Sequence, residues 1–427
     1  MILLLYYFSL DKASNALNAI GVSILAATSL FVLKSKGGWV FLLYAFGLTF
    51  ALLSGALIEA TGAYLIEVQE TAQLTGAAAR NALLAAFFLL ATYAAHKLFL
   101  RIIPNRLPKI HVAENIATKI LLVIAFAAPL YIAAVLMIYG SPLFMGMDRF
   151  KYFTDVAPAG YLWFYGNIPL LGFVVALAAY KGFIRHRTSL AWLTLTIFIY
   201  VMAGEKFSGI FLLGFFFLLP FFIIVNPAIK ARHIFIGSIA IIVMVAVVLL
   251  NYTLIYGSAD IFMARLTLQG QMNYALDQIS SAAQPLTSII RNFLGFGAPE
   301  NDTGLVRLMY LVAPAVTVDR MVEYGANFTV PFPANIEYFF GFHLAPFAIL
   351  SLSIMTGASC ALLLKSVMRS NMILSVVSAK LFIFVYTSIV MGEIYLLLEA
   401  KTVLLVSLVS LYFLVLAIQR PDNRLTS

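Results

Sequence analysis

The chain has 427 residues, of which 63% are hydrophobic and 11% are charged, and its mean hydropathy is +0.99. These values exclude an ordinary soluble domain and are typical of a polytopic membrane protein. The formal net charge of +9 does not indicate a nucleic-acid partner, because the basic residues concentrate in one set of connections between apolar runs, where they indicate membrane topology.

Apolar runs of about 17–25 residues are long enough to cross a bilayer as helices. The sequence contains eleven runs of about this length, at residues 16–33, 39–58, 81–100, 120–139, 161–180, 189–204, 207–225, 233–256, 340–363, 371–390 and 402–419. We therefore expect an all-α polytopic membrane protein with about eleven transmembrane helices. Residues 1–10 are apolar but too short to span, and no basic segment precedes them, so we expect no cleaved signal peptide.

The connections between these runs alternate in charge. One set carries most of the basic residues: Lys34, Lys36, Arg101, Arg106, Lys109, Lys119, Lys181, Arg185, Arg187, Lys230, Arg232, Lys365, Arg369, Arg420 and Arg424. Of the 18 acidic residues, only Glu114 and Asp422 lie on that side. Cytoplasmic loops accumulate Lys and Arg, so we place this set inside, the N-terminus outside and the C-terminus inside. The chain then divides into N-terminal helices (1–256), a large outer loop (257–338) and C-terminal helices (339–427).

The first outer segment with candidate chemistry is residues 140–160. Its central part contains two basic, two acidic and three aromatic residues: Arg149, Lys151, Asp148, Asp155, Phe150, Tyr152 and Phe153. One interpretation is a hydrated loop with local ion pairs that contribute little stability. The other is a surface for a sugar or a phosphate, since aromatic rings stack on sugars and the Arg fork grips phosphate.

The second outer segment is the turn at residues 204–209, which contains Glu205 and Lys206. It interrupts a longer apolar stretch, so it must reverse the chain between two helices. The helix before it is about 21 Å long at 1.5 Å per residue, against a hydrocarbon core of about 30 Å. Lys206 could therefore lie below the outer headgroups, near the depth of a lipid diphosphate. An ordinary charged turn is the alternative.

The large outer loop is the most informative part of the chain. It carries four arginines among seven acidic residues, and the arginines are Arg265, Arg291, Arg307 and Arg320. Short outer loops of membrane proteins are normally poor in Arg, so this set suggests an anionic ligand such as a lipid diphosphate.

Three parts of that loop have recognisable local patterns. Residues 261–279 read as an amphipathic helix, with Gln269, Asn273 and Asp277 opposite its apolar stripe and Arg265 at the edge of the stripe. Residues 305–318 are apolar but too short to span, which fits a re-entrant or interfacial segment. Residues 327–337 contain prolines that forbid a regular helix, which leaves polar groups free where the chain returns to the membrane.

Other charged and metal-ligating residues give weaker signals. Lys380 lies in mid-helix, about 15 Å from either end, where a charge is functional by default unless it pairs with an acid. The short outer turn at 393–401 contains Glu399 and Lys401. The single cysteine, Cys360, excludes a disulfide framework. The five histidines have no metal-ligand spacing and no Asp-x-Asp occurs, so we predict no metal and no cofactor.

Taken together, these segments resemble the Wzy-type O-antigen or capsular repeat-unit polymerases. The resemblance covers roughly residues 140–345. Its local likenesses are Arg149 with Gly160-Tyr161-Leu162, Gly204-Glu205-Lys206, Arg265 before an amphipathic helix, and Asn327-Phe-Thr followed by Phe339-Phe340-Gly341.

The resemblance implies a GT-C-like architecture and a membrane glycosyltransferase at the periplasmic face of the bacterial inner membrane. Such an enzyme moves a growing glycan from undecaprenyl diphosphate onto a lipid-linked repeat unit, and a partner protein can regulate chain length. The leaving diphosphate needs Arg or Lys if no metal is used. The acceptor hydroxyl needs a general base.

On this interpretation the site residues follow from their positions outside the membrane. Arg265 and Arg149 are the main candidates for contact with the diphosphate, with Lys206 in support. Glu337 is the candidate general base, with Glu205 and Glu323 as rivals. The remaining candidates for substrate binding are Lys151, Arg291, Arg307, Arg320 and Asn327.

Three alternatives stay open. The O-antigen ligases share this plan, but their characteristic His in the large loop has no clear counterpart, since His343 lies at the end of the loop. A flippase or transporter of lipid-linked sugars would place charges within helices and show inverted repeats. A eukaryotic lumenal glycosyltransferase would fit the outer sequons at Asn251, Asn301 and Asn327, although such triplets often arise by chance.

Overall fold

The fold is seen in a computed structural model that describes residues 1–103, 111–147, 149–205, 208–225, 267–280, 282–299, 302–328, 330–369 and 371–418. The predicted helix at 233–256 lies outside these ranges, as do the candidate residues Lys206 and Arg265.

Helices dominate the described chain. We number the α-helices α1 Ile2–Leu10, α2 Asn15–Lys34, α3 Leu42–Thr61, α4 Ala77–Ile102, α5 His111–Tyr139, α6 Pro142–Met145, α7 Arg149–Asp155, α8 Tyr161–Tyr180, α9 His186–Met202, α10 Ser208–Val225, α11 Gln271–Ile279, α12 Leu286–Ser288, α13 Gly304–Val312, α14 Ala315–Glu323, α15 Ala334–Met368, α16 Met372–Val390 and α17 Ala400–Ile418. Short 3₁₀ helices cover Gly38–Phe41 and Ile394–Leu397, and a π-helix covers Ile289–Phe293. Two two-residue strands, Tyr64–Leu65 and Glu70–Thr71, form an antiparallel hairpin.

The expectation of an all-α polytopic membrane protein is confirmed. Within the described residues, eight helices are long and apolar enough to cross a membrane: Asn15–Lys34, Gly38–Thr61, Ala77–Ile102, Glu114–Met145, Tyr161–Tyr180, Ser208–Val225, Ala334–Met368 and Met372–Val390. The predicted span at 189–204 is the 17-residue α9, and the last predicted span begins with the shorter apolar segment Ala400–Ser410. The count of eleven therefore remains a prediction.

Small residues allow the central helices to pack closely. A Cβ at Gly357 of α15 would lie 2.6 Å from the Cβ of Ala95 in α4, and a Cβ at Gly21 of α2 would lie 3.0 Å from the Cα of Ala79. Because lipid supplies no hydrophobic drive between helices, such close van der Waals contact is what holds a membrane bundle together. Helix α4 thus packs between α2 and α15 in the centre of the bundle.

The predicted outer connections meet one another at one end of the bundle, which we call the loop end. The Gln73 N–H donates to the Tyr274 hydroxyl at 2.8 Å, and Gly392 packs against Pro331. Gly295 and Gly304 both approach the ring of Tyr395, where any Cβ would lie 2.7 Å from that side chain. The segment after residue 266 is therefore folded onto the loops at 62–76 and 391–399.

The predicted inner connections meet at the opposite end, which we call the basic end. Lys181 and Glu114 form an ion pair, and the Met372 N–H donates to the same Glu114 carboxylate at 2.8 Å. Lys97 donates to the Lys36 carbonyl at 3.0 Å. The alternation read from charge therefore matches the packing, whereas the side of the membrane that each end faces stays a prediction.

The large loop differs from the sequence-based expectation in one respect. Helix α11 buries both sides, since Asn273 and Asp277 of the predicted polar side are buried along with Met272 and Ala275 of the predicted apolar stripe, whereas Ile279 is 43% exposed. The reason is that α11 lies on the bundle, not on a lipid surface, with Gly270 in backbone contact with Gly55 of α3. Its polar groups bind polar groups of α4 and α15, as described below.

Candidate functional site

Arg149 and Glu205, two of the predicted site residues, come together at the loop end. Arg149 begins α7, and Glu205 follows α9 in the predicted turn, where the two side chains form an ion pair. Glu205 also accepts hydrogen bonds from the Tyr165 hydroxyl at 2.5 Å and from the Gly209 N–H at 2.9 Å. We call these residues, together with Phe150, the Arg149 cluster. It forms because the turn at 204–209 brings a carboxylate to the start of α10.

Several hydrogen bonds hold the Glu205 carboxylate in its charged form. Burial alone raises the pKa of this carboxyl, but the hydrogen bonds from Tyr165 and Gly209 and the charge of Arg149 outweigh burial, so its pKa lies below the ordinary value. The position at the N-terminus of α10 adds a favourable helix-dipole interaction. Glu205 is therefore suited to positioning Arg149 and poorly suited to accepting a proton at neutral pH.

The guanidinium of Arg149 is only partly enclosed. Its side chain is 21% exposed, against 4% for Glu205, and its guanidinium carbon lies 4.7 Å from the centre of the Phe150 ring. An Arg has five N–H donors in a planar fork, so one carboxylate contact leaves donors for an anion. Lys151, the next predicted candidate, is exposed on the same short helix.

Aromatic rings line the interior of the Arg149 cluster. The ring centres of Phe153 and Tyr165 are 5.0 Å apart, and those of Tyr165 and Tyr200 are 4.7 Å apart. The Tyr200 hydroxyl donates to the Tyr165 carbonyl at 2.8 Å. This bond fixes α8 at Tyr165, whose own hydroxyl donates to Glu205. The cluster is thus a rigid support under a partly exposed arginine.

A second arginine–carboxylate pair lies at the same end and is fully enclosed. Arg80, near the start of α4, donates to Asp277 of α11 from Nε at 2.9 Å and from Nη2 at 2.5 Å, and its Nη1 donates to the Ser9 carbonyl at 3.1 Å. The side chains are 8% and 1% exposed, and the Phe342 ring lies 5.7 Å from the guanidinium. We call this group, with Glu337 and Tyr6, the Arg80 cluster.

Glu337, the predicted general base, belongs to the Arg80 cluster and is completely buried. Its Oε1 lies 3.1 Å from the Tyr6 hydroxyl, and its Oε2 has no hydrogen-bond partner among the described residues. Glu337 lies one turn before Gly341, where α15 is broken by a backbone with φ of 68°. A Cβ at Gly341 would lie 2.6 Å from the Ala283 nitrogen, so this position needs glycine.

The arginines of the large loop divide into two groups. Arg291 and Arg307 both form ion pairs with the carboxylate of Asp302, and Arg291 Nε lies 3.7 Å from Asp302 Oδ2. Arg320 is exposed on α14, and Asn327 and the rival base Glu323 are also exposed. None of these five residues lies in either cluster.

The two helices α13 and α14 meet at Pro314, which explains why the apolar run at 305–318 does not form one helix.

Lys380 lies inside the bundle, as predicted, but not in an ion pair with an acid among the described residues. Its Nζ donates to Asn167 Oδ1 at 2.9 Å and lies 4.9 Å from the centre of the Phe384 ring. These contacts link α16 to α8. In the same described part of the chain, no group of three or more His, Cys, Asp and Glu could hold a metal ion.

Sequence reasoning missed Arg80, Asp277 and Tyr165 as members of these clusters. Arg80 carried a usable signal, because an arginine at the outer start of an apolar helix is as unexpected as one in an outer loop. Asp277 looked like part of a solvated helix face, and its partner lies 197 residues away. Tyr165 carried no distinguishing signal.

A family model described as "Family of unknown function (DUF6418)" matches residues 298–406. This part of the chain contains α13 to α16 with Arg307 and Glu337, and it excludes Arg80, Arg149, Glu205 and Asp277. No curated protein and no solved structure matches the chain.

Proposed function

We propose that this membrane-embedded protein polymerises lipid-diphosphate-linked oligosaccharide repeat units, at the periplasmic face of a bacterial inner membrane. The N-terminus would then be periplasmic and the C-terminus cytoplasmic. The observation that supports the proposal best is the Arg149 cluster, where a partly exposed arginine is held by a buried carboxylate at the loop end. The donor and the acceptor would be undecaprenyl-diphosphate-linked glycans.

The proposed glycosyl transfer requires stabilisation of the leaving diphosphate. An acceptor hydroxyl oxygen would attack the anomeric carbon of the donor, the bond from that carbon to the diphosphate oxygen would break, and the hydroxyl proton would pass to a base. Arg149 would bind the diphosphate as negative charge develops, with Lys151 nearby, and Glu205 would keep the guanidinium in place. Lys206 and Arg265 remain candidates outside the described residues.

The base is the least constrained part of the proposal. Glu205 is held as a carboxylate by four donors, and Glu337 is enclosed with Tyr6, whereas a general base must reach the acceptor hydroxyl or a bridging water. Glu323 is exposed and stays a candidate. Movement at the break in α15 would be required before Glu337 could contact a sugar.

Transport of the same lipid-linked sugars is the second candidate, and one observation favours it. Transporters place charged groups and broken helices near the centre of the bundle, and α15 is broken at Gly341 beside Glu337, Arg80 and Asp277. We rank it second because the donors of Arg80 are occupied by internal contacts, and because the Arg149 cluster has the partly exposed guanidinium.

The proposed function can be tested by deleting the gene and examining surface polysaccharide. A polymerase predicts loss of the long-chain ladder with a single repeat unit retained, whereas loss of that unit as well points to ligation or transport. Purified protein supplied with lipid-linked repeat units should elongate them, and excess EDTA should leave most of this activity. Activity that collapses and returns with magnesium or manganese would overturn the metal-independent mechanism.

The proposed orientation has a separate test by cysteine labelling. The single native cysteine, Cys360, is buried, so a maleimide should react with an introduced cysteine instead. Ala315→Cys places a thiol on the exposed surface of α14, and Thr188→Cys places one at the start of α9 at the basic end. A membrane-impermeant maleimide should label Ala315→Cys in intact spheroplasts and Thr188→Cys only after lysis. The reverse pattern would place the loop end in the cytoplasm and exclude a periplasmic site.

A further inference from the structure

Three lysines from different parts of the chain converge on one pocket at the basic end, far along the bundle from both clusters. Lys36 follows α2, Lys97 is on α4 and Lys365 is in the last turn of α15. The pocket has a volume of about 360 Å³, and no carboxylate is among its described lining residues. Leu100, Ile224 and Met368 contribute apolar walls.

The local structure brings these cations together. Gly37 has φ of 79°, and a Cβ there would lie 2.6 Å from Leu364 Cδ1, so glycine allows the α2 connection to lie against α15. Lys97 Nζ donates to the Lys36 carbonyl at 3.0 Å and lies 5.1 Å from the centre of the Tyr93 ring. A lysine has three donors, so Lys97 can hold the connection and still bind an anion.

Acidic residues that could neutralise the pocket are scarce at this end. Of the 18 acids, the sequence places only Glu114 and Asp422 among the inner connections, and Asp422 lies outside the described residues. Glu114 is bound by Lys181 and by the Met372 N–H. The three lysines line one pocket whose described wall contains no carboxylate, so their positive charges stabilise an anion that enters it.

We propose that this pocket binds the phosphate of an anionic phospholipid from the membrane leaflet at the basic end. The three lysines would contact the phosphate, and the apolar walls would contact the start of the acyl chains. The combination of a basic rim and an apolar wall at a helix end fits a lipid headgroup better than a soluble anion, because basic pockets between transmembrane helices at the cytoplasmic side bind such headgroups. The proposal does not depend on the reaction at the loop end.

The test is a binding titration on the purified full-length protein in detergent, by native mass spectrometry. The probes are short-chain phosphatidylglycerol, short-chain phosphatidylcholine and inorganic phosphate. We expect one tight phosphatidylglycerol per chain and much weaker binding of the other two. Each lysine should contribute about fivefold, so substituting all three by Gln should weaken phosphatidylglycerol binding about 100-fold.

A matched control variant removes the same number of charges from the same end of the molecule. Lys34, Arg101 and Arg185 are exposed at the basic end and do not line the pocket, so their joint substitution by Gln should change the affinity less than about threefold. Equal losses in both triple variants would show general surface attraction and overturn the proposal. Inorganic phosphate that binds as tightly as the lipid would also overturn it, since the ligand would then be a free anion.

Both variants must retain the wild-type melting temperature in detergent for the comparison to count. If the pocket variant does not fold, the single substitution Lys97→Gln replaces it, with Arg101→Gln as its control on the same helix. A loss of about fivefold in the first and none in the second supports the site, and no difference between them refutes it.

Discussion

The Arg149 and Arg80 clusters are both arginine–carboxylate pairs at the loop end, yet their surroundings differ. Arg80 donates to two carboxylate oxygens and one carbonyl, and its side chain is 8% exposed. Arg149 has one carboxylate and one ring as partners among the described contacts, and its side chain is 21% exposed. We infer that saturation of the donors, and not the presence of an ion pair, separates an arginine that holds the fold from one with donors left for a ligand.

The largest predicted effect is on stability at Arg80. Removing one partner of a buried ion pair leaves an uncompensated charge and costs about 3–5 kcal/mol. Arg80→Ala should therefore lower the melting temperature of the purified protein strongly or prevent its accumulation. The double variant Arg80→Met with Asp277→Leu should recover much of the loss, because both charges are removed together. A stable Arg80→Ala protein would show that the Arg80–Asp277 pair does not stabilise the fold.

A smaller effect on stability is predicted at Glu205, and it should depend on pH. Glu205→Gln removes charge-assisted hydrogen bonds and should cost about 1.5–3 kcal/mol at neutral pH. The pKa of Glu205 is lowered in the folded state, so its stabilisation is present above the ordinary Glu pKa of about 4.3 and is lost as pH falls through the lower folded value. The difference between the melting temperatures of the two proteins should therefore shrink as pH falls below about 4.3. A constant difference from pH 7 to pH 3 would contradict this.

The smallest predicted effect on stability is at Glu337, a member of the Arg80 cluster that is also the predicted general base. If Glu337 only supports the fold, Glu337→Gln keeps an oxygen to accept from Tyr6, and polymer length and rate should change less than about threefold. If Glu337 is the general base, the rate should fall by about 10²–10⁴ with little change in melting temperature. The assay is elongation of lipid-linked repeat units by purified protein. Glu323→Gln, on an exposed residue, is the parallel variant.

Parts of this structure could be predicted from sequence because their causes are local. Apolar run length predicted the spanning helices, the charged turn before Ser208 was placed correctly, and alternation of Lys and Arg grouped the connections as the packing does. Arg149 and Glu205 were both placed at the outer face, but their ion pair was not predicted. The correct predictions rest on run length, turn residues and charge, which can be read along the chain without tertiary contacts.

Other parts could not be predicted because they depend on tertiary contacts. Asp277 is the clearest case, since its helix looks solvated on one face until Arg80, 197 residues earlier, is placed against it. Glu337 is contacted by Tyr6 of α1, a helix too short to span, and this contact has no signal in the sequence around either residue. The break at Gly341 likewise becomes necessary only when Ala283 approaches it.

The most direct test of the central claim is the comparison of Arg149→Lys with Arg149→Ala in the elongation assay. A lysine cannot reproduce the planar fork, so if Arg149 binds the leaving diphosphate, both variants should lose about 10²–10³ in rate. Arg149→Ala also removes the ion pair of the buried Glu205 carboxylate and should lower the melting temperature, so the rates are compared at a temperature where both variants are folded. Lys12→Ala, at another exposed cation of the loop end, is the control and should elongate normally. Full elongation by Arg149→Lys at wild-type abundance would contradict the account and remove Arg149 from the site.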